Sequence, residues 1–375
     1  MNSFYRTIKG ALWAAGVACL VVGLGGVTSA AEEHSPALKK LIAAAKAEGG
    51  TFIAHATFDD VQGRKEVEQA MEKMYGIKVK WEYVDFPNQN RFAARLMKEA
   101  KAGRQPSTDV FNGTQSTIPR LMKAGMLAEV DNWRELYPRI PEDVIVPGGG
   151  AIPEHTRVGG FTYNTRMVPK DKVPRKLEDL LDPFWKGKLA STTYAAVWDR
   201  AGVRADGSFD EAKAMRIKNL IVELIKKGHI VGLIGCGDES RIASGEFVGL
   251  AMMCSQNGTW KGQEKGMPID IAYLEETSNI SHSYLALLKG AKYPNTGKLF
   301  MLFMQTPEGQ ALNLKWELAD SSFYPETRMN ATLKEMRKGG MDPPYISIPV
   351  YMKAKPQVEK WKREYKKLLV GQKKK

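Results

Sequence analysis

Short strand-like runs alternate with amphipathic helical runs along most of this chain, and glycines stand where the helices end. Ser35-Pro36 caps and starts a helix whose apolar residues Leu38, Leu41, Ile42 and Ala45 recur at helical spacing, and Gly49-Gly50 stops it. Thr51 to Ala56 is strand-like, and a helix over 62–74 follows with Val67, Met71 and Met74 on one face and Gly76 at its end. Ile77 to Val84 alternates as a strand, 90–102 is helical up to Gly103, 108–111 is a short strand, and Ser116 to Lys123 begins another helix. Strand, helix, strand, helix at this spacing predicts α/β architecture, a parallel-rich sheet with helices on its faces.

Residues 138–160 break the pattern, with Pro138, Pro141, Pro147 and Pro153 among Gly148-Gly149-Gly150 and Gly159-Gly160. Such a stretch is poor as a helix and weak as a central strand, so it reads as an irregular segment leading to a domain crossing. Beyond it the alternation resumes, with strands at 160–164, 188–192, 230–235, 247–253 and 269–274, a long helix at 209–227 and another opening at Asp238. The last third reads as mostly helical: Ser283 to Leu288, Asn295 to Met304, and Pro307 to Trp316 behind an N-cap at Thr306. A length of 375 residues fits two domains, each with its own core.

The first residues read as an export leader. Arg6 and Lys9 precede an apolar run from Ala11 to Val27, small residues Thr28-Ser29-Ala30-Ala31 follow, and Glu32-Glu33 opens the mature side. That is the pattern of a secretory signal peptide over residues 1–31, cut near Ala30 or Ala31, and it implies a periplasmic mature chain. The run is short for a spanning helix, and it continues past Cys19, which argues against lipidation there. Of the three cysteines only Cys236 and Cys254 then remain, either as a disulfide in an oxidising compartment or as two buried thiols.

The net charge of +13 invites a nucleic-acid reading, but its distribution removes it. Residues 353–375 carry ten Lys/Arg against two Glu, and the leader carries Arg6 and Lys9, so the body between them is at only +3. Val358, Trp361, Tyr365 and Leu368 fall at helical spacing in that tail, which predicts a terminal helix that docks one face and turns its lysines to water.

An ordered series of short motifs carries a family resemblance. Lys46-Ala47-Glu48-Gly49-Gly50 stands before a strand, Tyr75-Gly76-Ile77-Lys78-Val79 after a helix, and Ala102-Gly103-Arg104 leads to Thr108-Asp109-Val110. Tyr163-Asn164-Thr165, Leu180 to Lys188, Ala243-Ser244-Gly245-Glu246, Lys289 to Lys292 and Thr306-Pro307-Glu308-Gly309-Gln310 follow in order. Over about residues 38–328 the chain resembles bacterial extracellular solute-binding proteins, the type II periplasmic binding proteins of ABC importers, in the branch that includes ferric-iron binders. The resemblance implies two α/β lobes with a ligand cleft between them, hinge closure, and delivery to an inner-membrane ABC permease. It places lobe 1 in residues 32–160 plus 278–375 and lobe 2 in 161–277, and it implies a monomer that needs no cofactor.

Ligands of open parallel sheets bind beyond the carboxyl ends of strands, where loop amides and helix N-termini converge. Applied to the expected strands, the rule selects His55 and Thr57 after the first, and Asn112, Thr114, Gln115 and Ser116 after the Val110-Phe111 strand. In the second half it selects Ser191, Thr192, Thr193 and Tyr194, with Trp198 as a stacking aromatic, then Glu239 and Gln256, and Glu275 at the returning crossing. Each has a plain structural alternative, such as capping loops at 112–116 and 191–194, lobe packing for Trp198, and a solvated pair for Glu275-Glu276. Neutral donors outnumber fixed charges in this set, which favours a small organic anion or an oxygen-rich polar molecule.

Ferric iron is the alternative within the same fold. Iron-binding relatives commonly use two adjacent tyrosines, whereas no two of the thirteen tyrosines here are adjacent, and the five histidines show no metal-ligand spacing. No metal ligand set is expected. A secreted hydrolase is the competing class, but GxSxG, HExxH, CxxC and phosphate-loop signatures are all missing, so no catalytic residue is assigned.

Overall fold

The computed structural model describes residues 34–370 apart from 57, 87, 193–196 and 252–254. The expected leader, with Cys19 and the expected cleavage site, and the site candidates Thr57, Thr193 and Tyr194 lie outside the described residues, as does Cys254.

The first half of the chain runs α1 (Pro36–Ala47), β1 (Thr51–His55), α2 (Val61–Tyr75), β2 (Lys80–Tyr83), α3 (Gln89–Lys101), β3 (Val110–Thr114), α4 (Ile118–Lys123), α5 (Trp133–Leu136) and β4 (Ala151–Val158). The middle runs β5 (Phe161–Asn164), β6 (Leu189–Thr192), α6 (Glu211–Lys226), β7 (Ile230–Ile234), α7 (Glu239–Ala243), β8 (Gly249–Leu250), α8 (Gln256–Glu264) and β9 (Ile269–Ala272). The end returns through β10 (Ile280–Leu287), α9 (Pro294–Phe303), α10 (Pro307–Glu317), α11 (Arg328–Lys338) and α12 (Ile348–Val370).

The local chemistry explains the boundaries. Ser35 Oγ accepts from Leu38 N at 3.1 Å to start α1, and Asp60 Oδ1 accepts from Gln62 N at 2.7 Å to start α2. Gly76 closes α2 at φ +65°, a left-handed conformation that glycine adopts without steric cost. At Gly50 the requirement is twofold, because φ is +66° and a Cβ there would lie 1.8 Å from Lys78 O.

Two five-stranded mixed sheets result. The first has order β2-β1-β3-β10-β4, with β2, β1 and β3 parallel and β10 antiparallel to both neighbours. The second has order β7-β6-β8-β5-β9, parallel across β7, β6 and β8, with β5 antiparallel between β8 and β9. Phe52, Trp81 and Phe300 stack in the first core, and Phe161, Trp185 and Leu189 fill the second.

Two expectations are corrected. Ser283 to Leu288, expected as helix, is the strand β10, and all eight of its residues are buried. A strand covered on both faces loses the two-residue alternation that would distinguish it from a buried helix. The segment expected to be irregular contains β4, eight residues long, which holds Pro153 because it is an edge strand and shifts register opposite Ser283 and Tyr284.

The chain passes between the sheets at β4 to β5 and again at β9 to β10. Ser278 ties these crossings together, its Oγ donating to Gly159 O at 2.8 Å and accepting from Leu274 N at 3.0 Å. Val158, Trp260, Ile280 and Met329 pack beside them. The terminal helix α12 lays Trp361, Tyr365 and Leu369 into the core of the second sheet, while Lys360 pairs with Glu211 at 3.1 Å and Lys218 with Glu364 at 2.9 Å. Part of the basic tail is thus a solvated, ion-paired face.

Candidate functional site

The carboxyl ends of β1, β2 and β3 face the N-terminus of α8 across a cleft of about 1080 Å³. His55, Tyr83, Asp85 and Asn112 line it from the first sheet, His155 and Arg157 from the crossing strand β4, and Ser255, Asn257, Gly258 and Lys261 from α8.

Asn112 organises the first wall. Fully buried on β3, it donates from Nδ2 to Glu154 Oε2 at 2.5 Å, while its Oδ1 accepts from Gln89 Nε2 at 2.5 Å and Ser283 Oγ at 3.3 Å. His55 ends β1 between Phe111 and Phe92, with ring centroids at 5.6 and 5.0 Å, and its Nε2 lies 3.1 Å from Phe86 O. Burial holds its pKa below the usual histidine value, which keeps the imidazole neutral at pH 7. Arg64 braces the rim, donating to Phe58 O at 2.7 Å and Asp59 O at 2.9 Å with its guanidinium 4.0 Å over the Tyr83 ring.

The opposite wall is rich in donors. Ser255 at the N-cap of α8 makes no side-chain capping bond, and the first-turn residues Asn257 and Gly258 face the cleft. Such a helix start, with Arg157 and Lys261 nearby, suits a carboxylate, a phosphate or polarised hydroxyl oxygens. Gln256 fixes this helix to the crossing strand, accepting from Val158 N at 2.9 Å and donating to Thr156 O at 3.2 Å.

Of the residues selected from sequence, His55 and Asn112 line the cleft. Thr114 and Ser116 close a turn on themselves, with hydroxyls 2.9 Å apart, and Gln115 is buried beside them. Ser191 and Thr192 are fully buried on β6. Trp198 sits in the second core, 5.8 Å from Tyr365, which is the packing alternative. Glu239 stands behind the cleft wall against Gly258, where a Cβ would lie 2.0 Å from its Oε1. Glu275 pairs with Arg175 at 3.3 Å outside the cleft. Cys236 lines the cleft and is disulfide-bonded, and its expected partner Cys254 lies outside the described residues.

Sequence reasoning missed Tyr83, Asp85, His155, Arg157, Lys261 and Glu317. The strand-end rule would have found the first two had it been applied to β2. His155 and Arg157 were hidden by reading β4 as irregular, and the two helical residues carry no local signal.

Among the described residues no three His, Cys, Asp or Glu side chains converge as a metal site. Tyr83 is the cleft's tyrosine among them, its hydroxyl donating to Asp59 Oδ1 at 3.0 Å. No described helix is long and apolar enough to cross a membrane.

Comparison with solved structures finds the same fold. Iron-bound HitA from Pseudomonas aeruginosa superposes with a TM-score of 0.62 at 19% identity over 84% of this chain and 98% of that one. An ABC transporter substrate-binding protein from Bradyrhizobium japonicum gives 0.62 at 17% identity, over 84% and 97%. AfuA from Actinobacillus pleuropneumoniae, with fructose-6-phosphate bound, gives 0.52 at 20% identity, over 72% and 82%. No curated protein matches the sequence. The family described as bacterial extracellular solute-binding protein matches residues 66–327, well over half of the chain. This chain therefore belongs to the bacterial extracellular solute-binding proteins.

Proposed function

We propose that the chain is exported to the periplasm, loses residues 1–31, and as a monomer captures a small organic anion or oxygen-rich polar solute for an inner-membrane permease. Lobe 1, residues 32–160 plus 278–375, and lobe 2, residues 161–277, close over the solute about the two crossings tied by Ser278, with α12 at the end of the lobe 1 segment packed into the core of lobe 2. The reading rests on one observation above all: the uncapped start of α8, with Arg157 and Lys261 beside it, faces the amide-rich wall around Asn112 across the same cleft. A fructose phosphate, as in AfuA, has the kind of anionic and hydroxyl oxygens these groups would receive. Iron, as in HitA, is the second ligand class, and the sequence lacks the adjacent tyrosine pair that iron-binding relatives commonly use. Binding is non-covalent and without turnover.

A thermal-shift screen of the mature chain against organic acids, sugar phosphates, phosphonates, polyamines, sugars and ferric iron tests this. A solute at a hundredfold over its Kd adds about 2.7 kcal/mol of stability. Stabilisation by an oxygen-rich anion without chemical change of the solute supports the proposal. Stabilisation by ferric iron alone, or turnover of the solute, refutes it.

A further inference from the structure

The outward face of α12 carries more positive charge than its surroundings neutralise. Trp361, Tyr365 and Leu369 turn one side of the helix into the second core, and Tyr351 and Val358 pack with Val203. The opposite side is exposed and holds the cations. Both acids of the helix are already engaged: Glu359 lies 3.7 Å from Lys362, and Glu364 is shared between Lys367 at 3.2 Å and Lys218 of α6 at 2.9 Å. Glu211, at the start of α6, takes Lys360 at 3.1 Å. Lys355, Arg363 and Lys366 have no carboxylate partner among the described residues. Lys355 and Lys366 stand about 16 Å apart along the axis, three helical turns. The sequence goes on to end in Lys373-Lys374-Lys375. Met352, 44% exposed, begins the same outward stripe, and the exposed Pro356 and Arg363 follow it at helical spacing.

What such a face recognises follows from its chemistry. The charges are mostly ammonium groups on long flexible stems, which act as point charges and lack the guanidinium fork that grips a carboxylate at two points. They lie along the convex side of a helix, so they do not enclose a single anion. Both features fit a layer of laterally mobile anionic headgroups, which can gather beneath separated charges. An exposed methionine among lysines fits the boundary between headgroups and acyl chains.

We propose that this face of α12 docks on a bilayer surface that contains anionic lipid, so that the chain gathers at the membrane. The attraction grows with each Lys or Arg near the surface and is screened by salt. No residue of α12 lines the cleft, so docking leaves the solute site free.

Cosedimentation of the mature chain with vesicles of equimolar phosphatidylglycerol and phosphatidylcholine tests this, with pure phosphatidylcholine vesicles as the reference. The wild type should partition onto the mixed vesicles at low ionic strength, be released by about 0.5 M salt, and ignore the reference. The triple variant Lys355→Gln, Arg363→Gln and Lys366→Gln should keep its circular dichroism and bind the mixed vesicles on the order of a hundredfold more weakly. A second triple variant, Lys101→Gln, Lys123→Gln and Lys265→Gln, removes exposed lysines on other parts of the chain and reaches the same net charge, yet should partition as the wild type does. Absence of wild-type partition at low salt, equal partition onto the reference vesicles, or equal loss in the two triple variants would overturn the proposal. Capture of the wild type by polyglutamate in preference to the anionic vesicles would also overturn it, and would assign the face to an acidic protein. These outcomes do not involve the cleft, so the thermal-shift result decides the solute-binding reading on its own.

Discussion

Asn112→Leu should cost far more than the loss of one buried amide, because three partners depend on it. The substitution keeps the volume of the side chain and removes the 2.5 Å donor to Glu154 together with the acceptor for Gln89 and Ser283. The two neutral bonds are each worth about 1 kcal/mol, and the bond to the carboxylate about 1.5–3 kcal/mol. The total is about 3–5 kcal/mol, because Glu154 is fully buried. Urea unfolding followed by tryptophan fluorescence gives the number. A double-mutant cycle with Glu154→Gln isolates the charged contact, since a neutral amide tolerates a missing donor better than a carboxylate does. The expected coupling is about 1–2 kcal/mol. A loss below about 1 kcal/mol for Asn112→Leu, or strict additivity in the cycle, would refute the view that Asn112 organises this wall.

Two other perturbations are expected to have clear outcomes. Burial lowers His282 to about 3 from an ordinary 6.5, so the unfolded chain binds a proton that the folded one refuses. Stability should fall as the pH drops from about 6.5 to about 3, by up to about 1.4 kcal/mol per unit from this group, and pH-dependent urea unfolding of His282→Gln should show that slope reduced. At Gly149, φ is +68° and a Cβ would lie 1.5 Å from Val130 O, so Gly149→Ala forces backbone apart. A loss of more than about 2 kcal/mol is expected in the same unfolding assay, and a near-neutral result would contradict the close approach.

The parallel core of each sheet was legible because its helices carry caps and glycine stops, as at Ser35, Asp60 and Gly76. What failed was burial without periodicity. β10 lies between β3 and β4 with both faces covered, so Ser283 to Leu288 offered only a short apolar run, and Pro153 disguised an edge strand as a loop. The same two misreadings concealed part of the site, since Ser283, His155 and Arg157 line the cleft from those two strands. His55 and Asn112 were found because they end parallel strands. Lys261 and Glu317 were not, because helical residues reveal a shared cleft only once the two sheets face each other.

The most direct measurement is calorimetric titration of a solute identified by the thermal-shift screen into the wild type and into Arg157→Met. Arg157 stands on the crossing strand β4 and lines the same cleft as Asn112 and the start of α8. The account predicts one site per chain in the wild type and at least about tenfold weaker binding in the variant, with its circular dichroism and urea midpoint unchanged. Equal affinity in the two proteins would place the solute elsewhere and contradict the account.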